Sequence, residues 1–444
     1  MRRIPVDIVI RYEHKVRELE SIMLIRMEME RRGYSVAFTA NYDYKSTIRY
    51  NPKLIVSPAI YWEDTLLSDL KEYGLKRKIA NLLWEQLIGI KEEESINCSH
   101  NITGAGQKAI AFCWGQRTQS RLVKAGMPIK NTKVVGQINT DFLRGPLSAT
   151  IMTKEQLAMQ FGLNKNARWN LFVSSFAYCE LDELQKELII KVCGEKYLNE
   201  FTEISNISRI EILKWFEEVL NYYPNDIFIY RPHPDEAKKS VVLKDLELKY
   251  KNFFVISELA VKHWVNASDM IYNWYSTGIV DAIILNKPYR ILRPIVIPKE
   301  YDYRLFYNAV HIKSLSEFKE DYPSLEIKDI VDKKLYSEYY YIPEKYVYKE
   351  ICDTLEDMLN TRKYDIKYTI NEKISFGMQY IKTLFIRRLS FVKPLLRKLH
   401  IFESRLNKSA FIRETLEKGY KKNVASKEEI DALYIKLKPI IYNE

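Results

Sequence analysis

IYRPHPDE, from Ile229 to Glu236, and NWYSTGIVDAIILNKP, from Asn273 to Pro288, are the two stretches of sequence that decide the fold. The first continues an apolar run, Ile227 to Tyr230, which is typical of a strand buried in a parallel sheet. Two prolines one residue apart cannot continue a central strand. Arg231 to Pro234 is therefore predicted to be the loop at the carboxyl end of that strand.

The second stretch predicts the same arrangement. Met270 to Asn273 is a short apolar strand, Tyr275 to Gly278 is a tight loop, and Ile279 to Leu285 is a helix. Open α/β sheets bind ligands outside the carboxyl ends of their strands. A Ser-Thr-Gly loop that begins a helix offers an anion hydroxyls, backbone N–H groups and the positive end of the helix dipole. We therefore expect His233 and this loop to bind an anionic group at one edge of the sheet.

Strands alternate with helices along most of the chain, which predicts parallel sheets with right-handed crossovers. The pattern runs from Val6 to about residue 145 and begins again with the strand Asn170 to Ser174, which is followed by Ser175. We predict two Rossmann-like domains, at residues 1–145 and 169–360, joined by a linker at 146–168. Residues 361–444 form a separate tail.

Composition sets limits on the kind of protein. A chain of 444 residues with 47% hydrophobic and 29% charged residues is globular and long enough for two domains. It has no uninterrupted apolar run of about 18 residues, and its start meets a charge too soon for a signal peptide, so we expect a cytoplasmic protein. Five cysteines without a CxxC spacing argue against a disulfide framework and against a zinc site. We expect neither a metal nor a cofactor.

The tail carries most of the net charge of +11. Residues 361–444 contain 19 lysines and arginines against 9 acidic residues, a net charge of +10. Apolar residues recur there at steps of three and four from Ile374 to Phe402, with basic residues largely off that stripe, and Pro394 would kink such a helix. This pattern favours an anionic membrane surface as a partner of residues 374–413, with the protein peripheral at the inner face of the cell membrane. Alternatively, the stripe packs on the first domain. Nucleic acid is not expected, because no recognisable nucleic-acid-binding module is present.

The motifs resemble those of known transferases. RPHP, followed 36 residues after His233 by Asp269 and then by Tyr-Ser-Thr-Gly, is similar to the HP and Ser-Ser/Thr motifs. These are shared by bacterial sialyltransferases, Kdo transferases of capsule and O-antigen pathways, and teichoic-acid polyol-phosphate polymerases. YEHKVREL, Tyr12 to Leu19, resembles the EHKxREL start of surface carbohydrate biosynthesis proteins. The resemblance implies a GT-B glycosyltransferase, an α/β protein whose two Rossmann-like domains face each other across a cleft.

The resemblance also implies a reaction. It is a metal-independent, inverting transfer from a nucleotide-sugar donor, CMP-activated and Kdo- or sialic-acid-like, to a glycan or glycolipid acceptor of the cell surface. In these families the histidine and the Ser/Thr hydroxyls contact the donor phosphate. The donor-binding residues expected here are those of the two motifs and of the loop after the strand Asn170 to Ser174: Arg231, His233, Pro234, Ser276, Thr277, Gly278, Ser174 and Ser175.

The base that deprotonates the acceptor is expected in the first domain. The acidic D/E-D/E-G motif of those families corresponds here to Trp84-Glu85-Gln86-Leu87, in which the glycine is missing and only Glu85 fits. Glu13, which also follows a strand of the first domain, is the second candidate. The chemistry of the reaction agrees with these assignments. A leaving nucleotide needs hydrogen-bond donors, and an acceptor hydroxyl needs a carboxylate within reach to remove its proton.

Other interpretations stay open at this point. Ser276 and Thr277 are also typical helix caps, Ser174 and Ser175 typical turn residues, and Glu13 can pair with a neighbouring basic residue. The alternative activities are a CDP-polyol phosphotransferase of teichoic-acid type and a non-catalytic scaffold subunit of a polysaccharide assembly complex.

Overall fold

The computed structural model describes residues 3–41, 43–233, 236, 240–389 and 420–442, which form two compact units. Unit 1 comprises Met1–Gln86, Ile96–Asn139 and Tyr339–Glu444, and unit 2 comprises Leu87–Ser95 and Thr140–Glu338. Each unit is built around one six-stranded parallel sheet with helices packed on it. The predicted α/β fold class is confirmed in both units.

The sheet of unit 1 has the strand order β2-β1-β3-β4-β5-β6. Its strands are β1 (Ile4–Tyr12), β2 (Val36–Ala40), β3 (Tyr50–Ser57), β4 (Lys78–Asn81), β5 (Ile110–Cys113) and β6 (Thr132–Val134). Strand β1 lies between β2 and β3, with Val9 opposite Ala37 on one side and Ile55 on the other. The central residues of β1 are fully buried, as expected for a parallel strand covered on both faces.

The sheet of unit 2 has the order β12-β11-β10-β7-β8-β9. Its strands are β7 (Trp169–Val173), β8 (Ile227–Arg231), β9 (Phe253–Val255), β10 (Met270–Asn273), β11 (Tyr289–Leu292) and β12 (His311–Ile312). Counted from β7, this is the strand order of the Rossmann fold, in which the chain starts in the middle and the direction of winding reverses between the first and fourth strands. The reversal here lies between β7 and β10.

The α-helices of the described residues are given in chain order: α1 (Lys15–Arg31), α2 (Tyr44–Thr47), α3 (Glu63–Tyr73), α4 (Ile90–Glu94), α5 (Gln116–Lys124), α6 (Lys154–Phe161), α7 (Glu183–Cys193), α8 (Glu195–Tyr222), α9 (Val241–Lys249), α10 (Val261–Ala267), α11 (Ile279–Ile284), α12 (Arg304–Tyr307), α13 (Leu315–Asp321), α14 (Lys333–Tyr339), α15 (Val347–Asn360), α16 (Ile370–Leu389) and α17 (Lys427–Ile441). Short 3-10 helices cover Gly104–Lys108, Ile129–Asn131, Ile138–Leu143, Gly145–Thr150, Ala177–Glu180 and Arg362–Tyr364.

The sequence pattern also predicts a strand from Lys78 to Trp84, a break in a long helical region from Gly194 to Asn206, and a helix that Ser257 caps and that ends near Ala267. The structure differs at each of these three places. Strand β4 ends at Asn81, not at Trp84. The predicted helical break from Gly194 to Asn206 is confined to Gly194, so that α8 is one helix of 28 residues. Ser257 does not cap the next helix, because α10 begins only at Val261.

The C-terminal segments of the chain pack on helices of unit 1. Helix α15, which the sequence placed in the second predicted domain, lies on α1. Arg32, at the end of α1, forms ion pairs at 2.8 Å with Glu28, Asp353 and Glu356. Helix α17 also packs on α1.

Helix α16 packs on α3 through Phe376, which is 1% exposed, and leaves an apolar stripe uncovered. This α16 stripe consists of Ile374, Met378, Ile381 and Phe385, which are 55–66% exposed. The rest of the predicted stripe, from Val392 to Phe402, lies outside the described residues. No helix in the described parts of the chain combines the length and the apolar character needed to cross a membrane.

Candidate functional site

The carboxyl edge of the sheet of unit 2 brings together the predicted donor-binding loops. Ser174 follows β7, His233 lies in the loop after β8, and Ser276 lies in the loop after β10. Because β7 pairs with β8 on one side and with β10 on the other, these loops start from three adjacent strands. They flank the reversal between β7 and β10, the point at which Rossmann-type sheets bind ligands.

The loop after β10 is shaped by its own side chains. Asn273 Oδ1 accepts the N–H of Ser276 at 2.8 Å, and Ser276 Oγ accepts the N–H of Gly278 at 3.2 Å. A methyl group on Gly278 would lie 3.1 Å from Val173 Cγ1, so glycine allows the loop to approach β7 closely. Thr277 is exposed at the tip of the loop. The following helix, α11, has only six residues, so the loop offers mainly hydroxyl and backbone groups and little of the expected helix dipole.

The loop after β8 is held by a buried carboxylate. Glu236 is fully buried, and its Oε2 accepts the N–H of His233 at 3.2 Å and the hydroxyl of Ser174 at 2.5 Å. The Tyr230 hydroxyl donates to Glu236 Oε1 at 2.6 Å and lies 3.0 Å from Ser174 Oγ. Burial and the neighbouring Glu236 raise the pKa of Tyr230 well above its ordinary value, so that it remains a donor.

Arg209 of α8 completes this cluster. Its Nε lies 3.5 Å from Glu236 Oε1 and its Nη1 donates to Glu180 at 3.0 Å. Its Nη2 donates to Ser240, whose own side chain caps α9. The cluster thus joins the ends of two strands to two helices.

The other predicted donor-binding residues of unit 2 have different surroundings. Arg231 donates to the carbonyl oxygens of Glu258 and Leu259, and burial lowers the pKa of its guanidinium to about 10. Leu259 has a φ of 64°, so Arg231 holds a strained turn that delays the start of α10. Ser175 has a buried hydroxyl with no hydrogen-bond partner among the described residues. Pro234 lies outside the described residues.

In unit 1, Glu85 lies in a turn that the side chains around it hold in place. Gln86 is buried and donates from Nε2 to Leu83 O at 2.9 Å and to Phe112 O at 2.8 Å. Its Oε1 accepts the N–H of Trp114 at 2.7 Å. Leu83 has a φ of 51°, which explains why β4 stops before Trp84. The turn leaves the Glu85 side chain 54% exposed.

An ion pair controls the ionisation of Glu85. Arg17 Nη1 lies 2.9 Å from its Oε1. Burial raises the pKa of Glu85, but the charge of Arg17 and its hydrogen bond lower it by more, so the net pKa lies below the ordinary 4.5. Glu85 is therefore ionised at neutral pH, as a base must be, although the arginine makes it a weak one.

Glu13 lies at the carboxyl end of β1, at the other predicted base position. Glu18, which is fully buried, accepts the N–H of Glu13 at 2.9 Å and that of His14 at 3.3 Å. His14 Nδ1 lies 3.4 Å from Asn423 Oδ1, and the Glu13 side chain is 38% exposed. Arg17, at 2.9 Å from Glu18, connects this loop to Glu85.

Sequence reasoning missed the residues that hold the loops. Glu236 stood inside the quoted stretch, and its position three residues after His233 was the available signal, since an acidic side chain there can accept the N–H of the histidine. Glu18, four residues after His14, carried a similar signal, whereas Asn273 and Gln86 had none. Asp269, by contrast, belongs to the quoted motif but lies before β10, where it accepts Trp169 N–H and pairs with Lys154.

Comparisons with known proteins support the fold. No family model and no curated protein sequence matches this chain. The solved structure of the wall teichoic acid polymerase TagF is similar over 80% of this chain and 90% of that chain, with 12% identity and a TM-score of 0.54. The UDP-GlcNAc 2-epimerase of Neisseria meningitidis, bound to UDP-GlcNAc, covers 80% of this chain and 100% of its own, with 16% identity and a TM-score of 0.47. The likeness to TagF agrees with the observed topology: the chain has a GT-B-type α/β fold with two Rossmann-like units.

Proposed function

We propose that this protein is a metal-independent, inverting glycosyltransferase of cell-surface polysaccharide synthesis, and that unit 2 binds its nucleotide-sugar donor. The observation that carries the proposal is the meeting of the His233 loop, the Ser276–Thr277 loop and the Ser174–Ser175 loop at the carboxyl edge of a sheet with Rossmann strand order. A donor phosphate fits this edge, because histidine, hydroxyl and backbone N–H groups stabilise the charge that develops on a leaving nucleotide. The resemblance of the two motifs makes a CMP-linked, Kdo- or sialic-acid-like sugar the proposed donor.

In unit 1, Glu85 and Glu13 are the proposed bases for the acceptor hydroxyl of a glycan or glycolipid. Both are at least one-third exposed, and both lie at the carboxyl side of the unit 1 sheet. The ion pair with Arg17 keeps Glu85 ionised, which a general base requires. Glu85 is our first choice, because it stands at the place of the acidic motif and is the more exposed of the two side chains.

A second candidate function is the transfer of a polyol phosphate from a CDP-linked donor. It is favoured by the fold likeness to TagF, of which one structure was obtained after a soak with CDPG. The products distinguish the two reactions: a polyol-phosphate transferase makes a phosphodiester, detectable by ³¹P NMR of the polymer, whereas a sugar transferase makes a glycosidic bond.

We also propose that the protein binds the anionic surface of the inner membrane face through the region 374–413. The support is the exposed α16 stripe together with the net charge of the tail. Apolar side chains insert between lipid headgroups while lysines and arginines remain on the anionic surface.

The test of the donor proposal is thermal stabilisation of the purified protein by CMP, CDP, UDP and GDP. A ligand at 100 times its dissociation constant adds about 2.7 kcal/mol to the free energy of unfolding. We expect CMP to stabilise the wild-type protein and His233→Ala to lose that effect. His311→Ala is the matched control, since His311 lies in the same unit but contacts the carbonyl of Phe306 at 2.9 Å.

Other results would redirect the assignment. Stronger stabilisation by CDP would favour the polyol-phosphate reaction, and stabilisation by UDP or GDP alone would contradict the proposed donor. If no nucleotide stabilises the protein, and Glu85→Gln and His233→Ala leave glycan synthesis unchanged in cells, the protein is a scaffold subunit and not a transferase.

A further inference from the structure

We propose that Glu236 is the positioning residue of the donor site: its carboxylate fixes the loop of His233 and the loop after β7 in one arrangement. The inference rests on the proposed function of these loops and names a residue that neither motif assigns. Glu236 is a positioning residue and not a catalytic one, because it is fully buried and its two carboxylate oxygens accept the hydroxyls of Ser174 and Tyr230.

The burial of Glu236 needs an explanation. A carboxylate removed from water is strongly unfavourable unless hydrogen bonds and opposite charge replace its hydration. Here Ser174 and Tyr230 donate at 2.5 and 2.6 Å, the His233 N–H donates at 3.2 Å, and Arg209 lies at 3.5 Å. These partners come from the loop after β7, from β8, from the loop after β8 and from α8, so one side chain contacts four parts of unit 2.

The contacts lie directly beside the residues proposed to bind phosphate. Ser174 immediately precedes Ser175, and its N–H donates to Arg231 O at 2.9 Å, which ties the ends of β7 and β8 together. Ser174 Oγ also accepts the N–H of Phe176 at 3.3 Å, so the hydroxyl that Glu236 orients determines the course of the loop around Ser175. In the loop after β8, the backbone N–H of Glu236 donates to His233 O at 2.9 Å.

A carboxylate suits this position because the four partners found among the described residues are all donors. Two hydroxyls, one backbone N–H and one guanidinium require an acceptor with two oxygens, which a carboxylate provides. Glutamine has the same shape but replaces one oxygen with an NH₂ group. In Glu236→Gln at least one of these donors therefore faces another donor, and the loop must rearrange.

The control is Asp226→Asn. Asp226 lies just before the same strand, β8, and accepts the hydroxyl of the buried Tyr322 at 3.0 Å. This substitution removes a carboxylate and disturbs a tyrosine in the same way, but at the amino end of the sheet. Both substitutions replace a carboxylate that accepts a tyrosine hydroxyl with an amide, but only Glu236→Gln does so beside the proposed donor-binding loops.

Two measurements test the proposal in the full-length protein. The first is hydrogen exchange of the peptides that contain Phe176 and His233. We expect faster exchange in Glu236→Gln and unchanged exchange in Asp226→Asn. The second is the affinity for whichever of CMP, CDP, UDP and GDP stabilises the wild type. A misplaced loop is expected to weaken it by about tenfold or more in Glu236→Gln. Glu236→Asp should recover part of the loss, and Asp226→Asn should show none.

Each outcome decides a separate question. Equal exchange and equal nucleotide affinity in Glu236→Gln and Asp226→Asn would overturn the role of Glu236. If the wild type binds no nucleotide, the donor proposal fails, while the exchange data still judge whether Glu236 holds the loops. If Glu236→Gln does not fold, Tyr230→Phe and Ser174→Ala each remove one donor, and unchanged loop exchange in both would also overturn the inference.

Discussion

At the scale of single residues, a buried glutamate holds a histidine-bearing loop in each unit. Glu18 accepts the N–H groups of Glu13 and His14, and Glu236 accepts that of His233. Both glutamates follow their histidine by three or four residues in sequence and both are fully buried. Burial raises the pKa of Glu18 in spite of the nearby Arg17. The loops of His14 and His233, which the motifs single out, are thus held by buried glutamates to which the motifs assign no role.

The ionisation of Glu85 gives a prediction at this scale. Because the net pKa of Glu85 lies below 4.5, its ionised form is favoured in the folded protein, and its stabilising contribution is lost as the pH falls through that lowered value. We expect ¹³C NMR of the Glu85 carboxyl, assigned with Glu85→Gln, to show a midpoint below pH 4.5. In Arg17→Leu, burial acts without the opposing charge, and the midpoint should move upward.

Arg17→Lys is the control for that titration, since it keeps the positive charge and should keep the midpoint low. The same pKa must limit catalysis at acidic pH if Glu85 is the base. An acidic limb of kcat/KM that lies above pH 5 and is unchanged in Arg17→Leu would assign the base to another group, with Glu13 the next candidate.

At the scale of elements, the sequence predicted most strands and helices of the sheets but fewer of the turns that end them. Apolar runs such as Ile227 to Tyr230 give the strands because burial on both faces demands them. The predicted end of β4 and the predicted start of α10 were wrong because Leu83 and Leu259 adopt positive φ. Leucine gives no signal of that conformation, which is imposed by hydrogen bonds from Gln86 and Arg231.

Gly136, just after β6, gives a prediction about how the C-terminal segment is attached to unit 1. Its φ is 96°, and a methyl group there would collide with the carbonyl oxygen of Tyr341 and lie 3.0 Å from Val347 Cγ2. Gly136→Ala should therefore lower the free energy of unfolding by at least about 2 kcal/mol, from backbone strain and overpacking together. Urea unfolding monitored by circular dichroism measures the change.

Gly33→Ala is the matched control for that measurement. Gly33 has a φ of 91° in the same unit, but no atom lies within 4 Å of the added methyl group. It should lose about 1 kcal/mol, from strain alone. Equal losses of unfolding free energy in the two variants would mean that the segment around Tyr341 does not pack closely against Gly136.

At the scale of the whole molecule, most of the net positive charge and the exposed α16 stripe both lie in the C-terminal tail, residues 361–444. Unit 1 ends in the basic tail, and the α16 stripe is on the face of α16 that α3 leaves uncovered. The periodicity predicted the stripe, but the sequence left open whether it packs on the first domain. The answer depends on Phe376, a residue outside the predicted stripe, which is the one buried against α3.

Binding to lipid vesicles tests whether the α16 stripe contacts a membrane. Substitutions on the exposed face of α16 are compared with one on its buried face. We expect the protein to sediment with vesicles that contain anionic phospholipid and not with zwitterionic ones, because the tail carries a net charge of +10. Raising the salt concentration from about 0.05 to 0.5 M should weaken binding, because screening shortens the range of those charges.

The double variant Ile374→Ser, Ile381→Ser should lose binding with little change in stability, since both side chains are more than half exposed. Phe376→Ala should instead cost about 3–5 kcal/mol of stability as a core truncation. Binding that is equal on zwitterionic vesicles would contradict the proposed role of the basic charge. Binding that is unchanged in the double variant would mean that the exposed stripe is not the part of the tail that contacts the membrane.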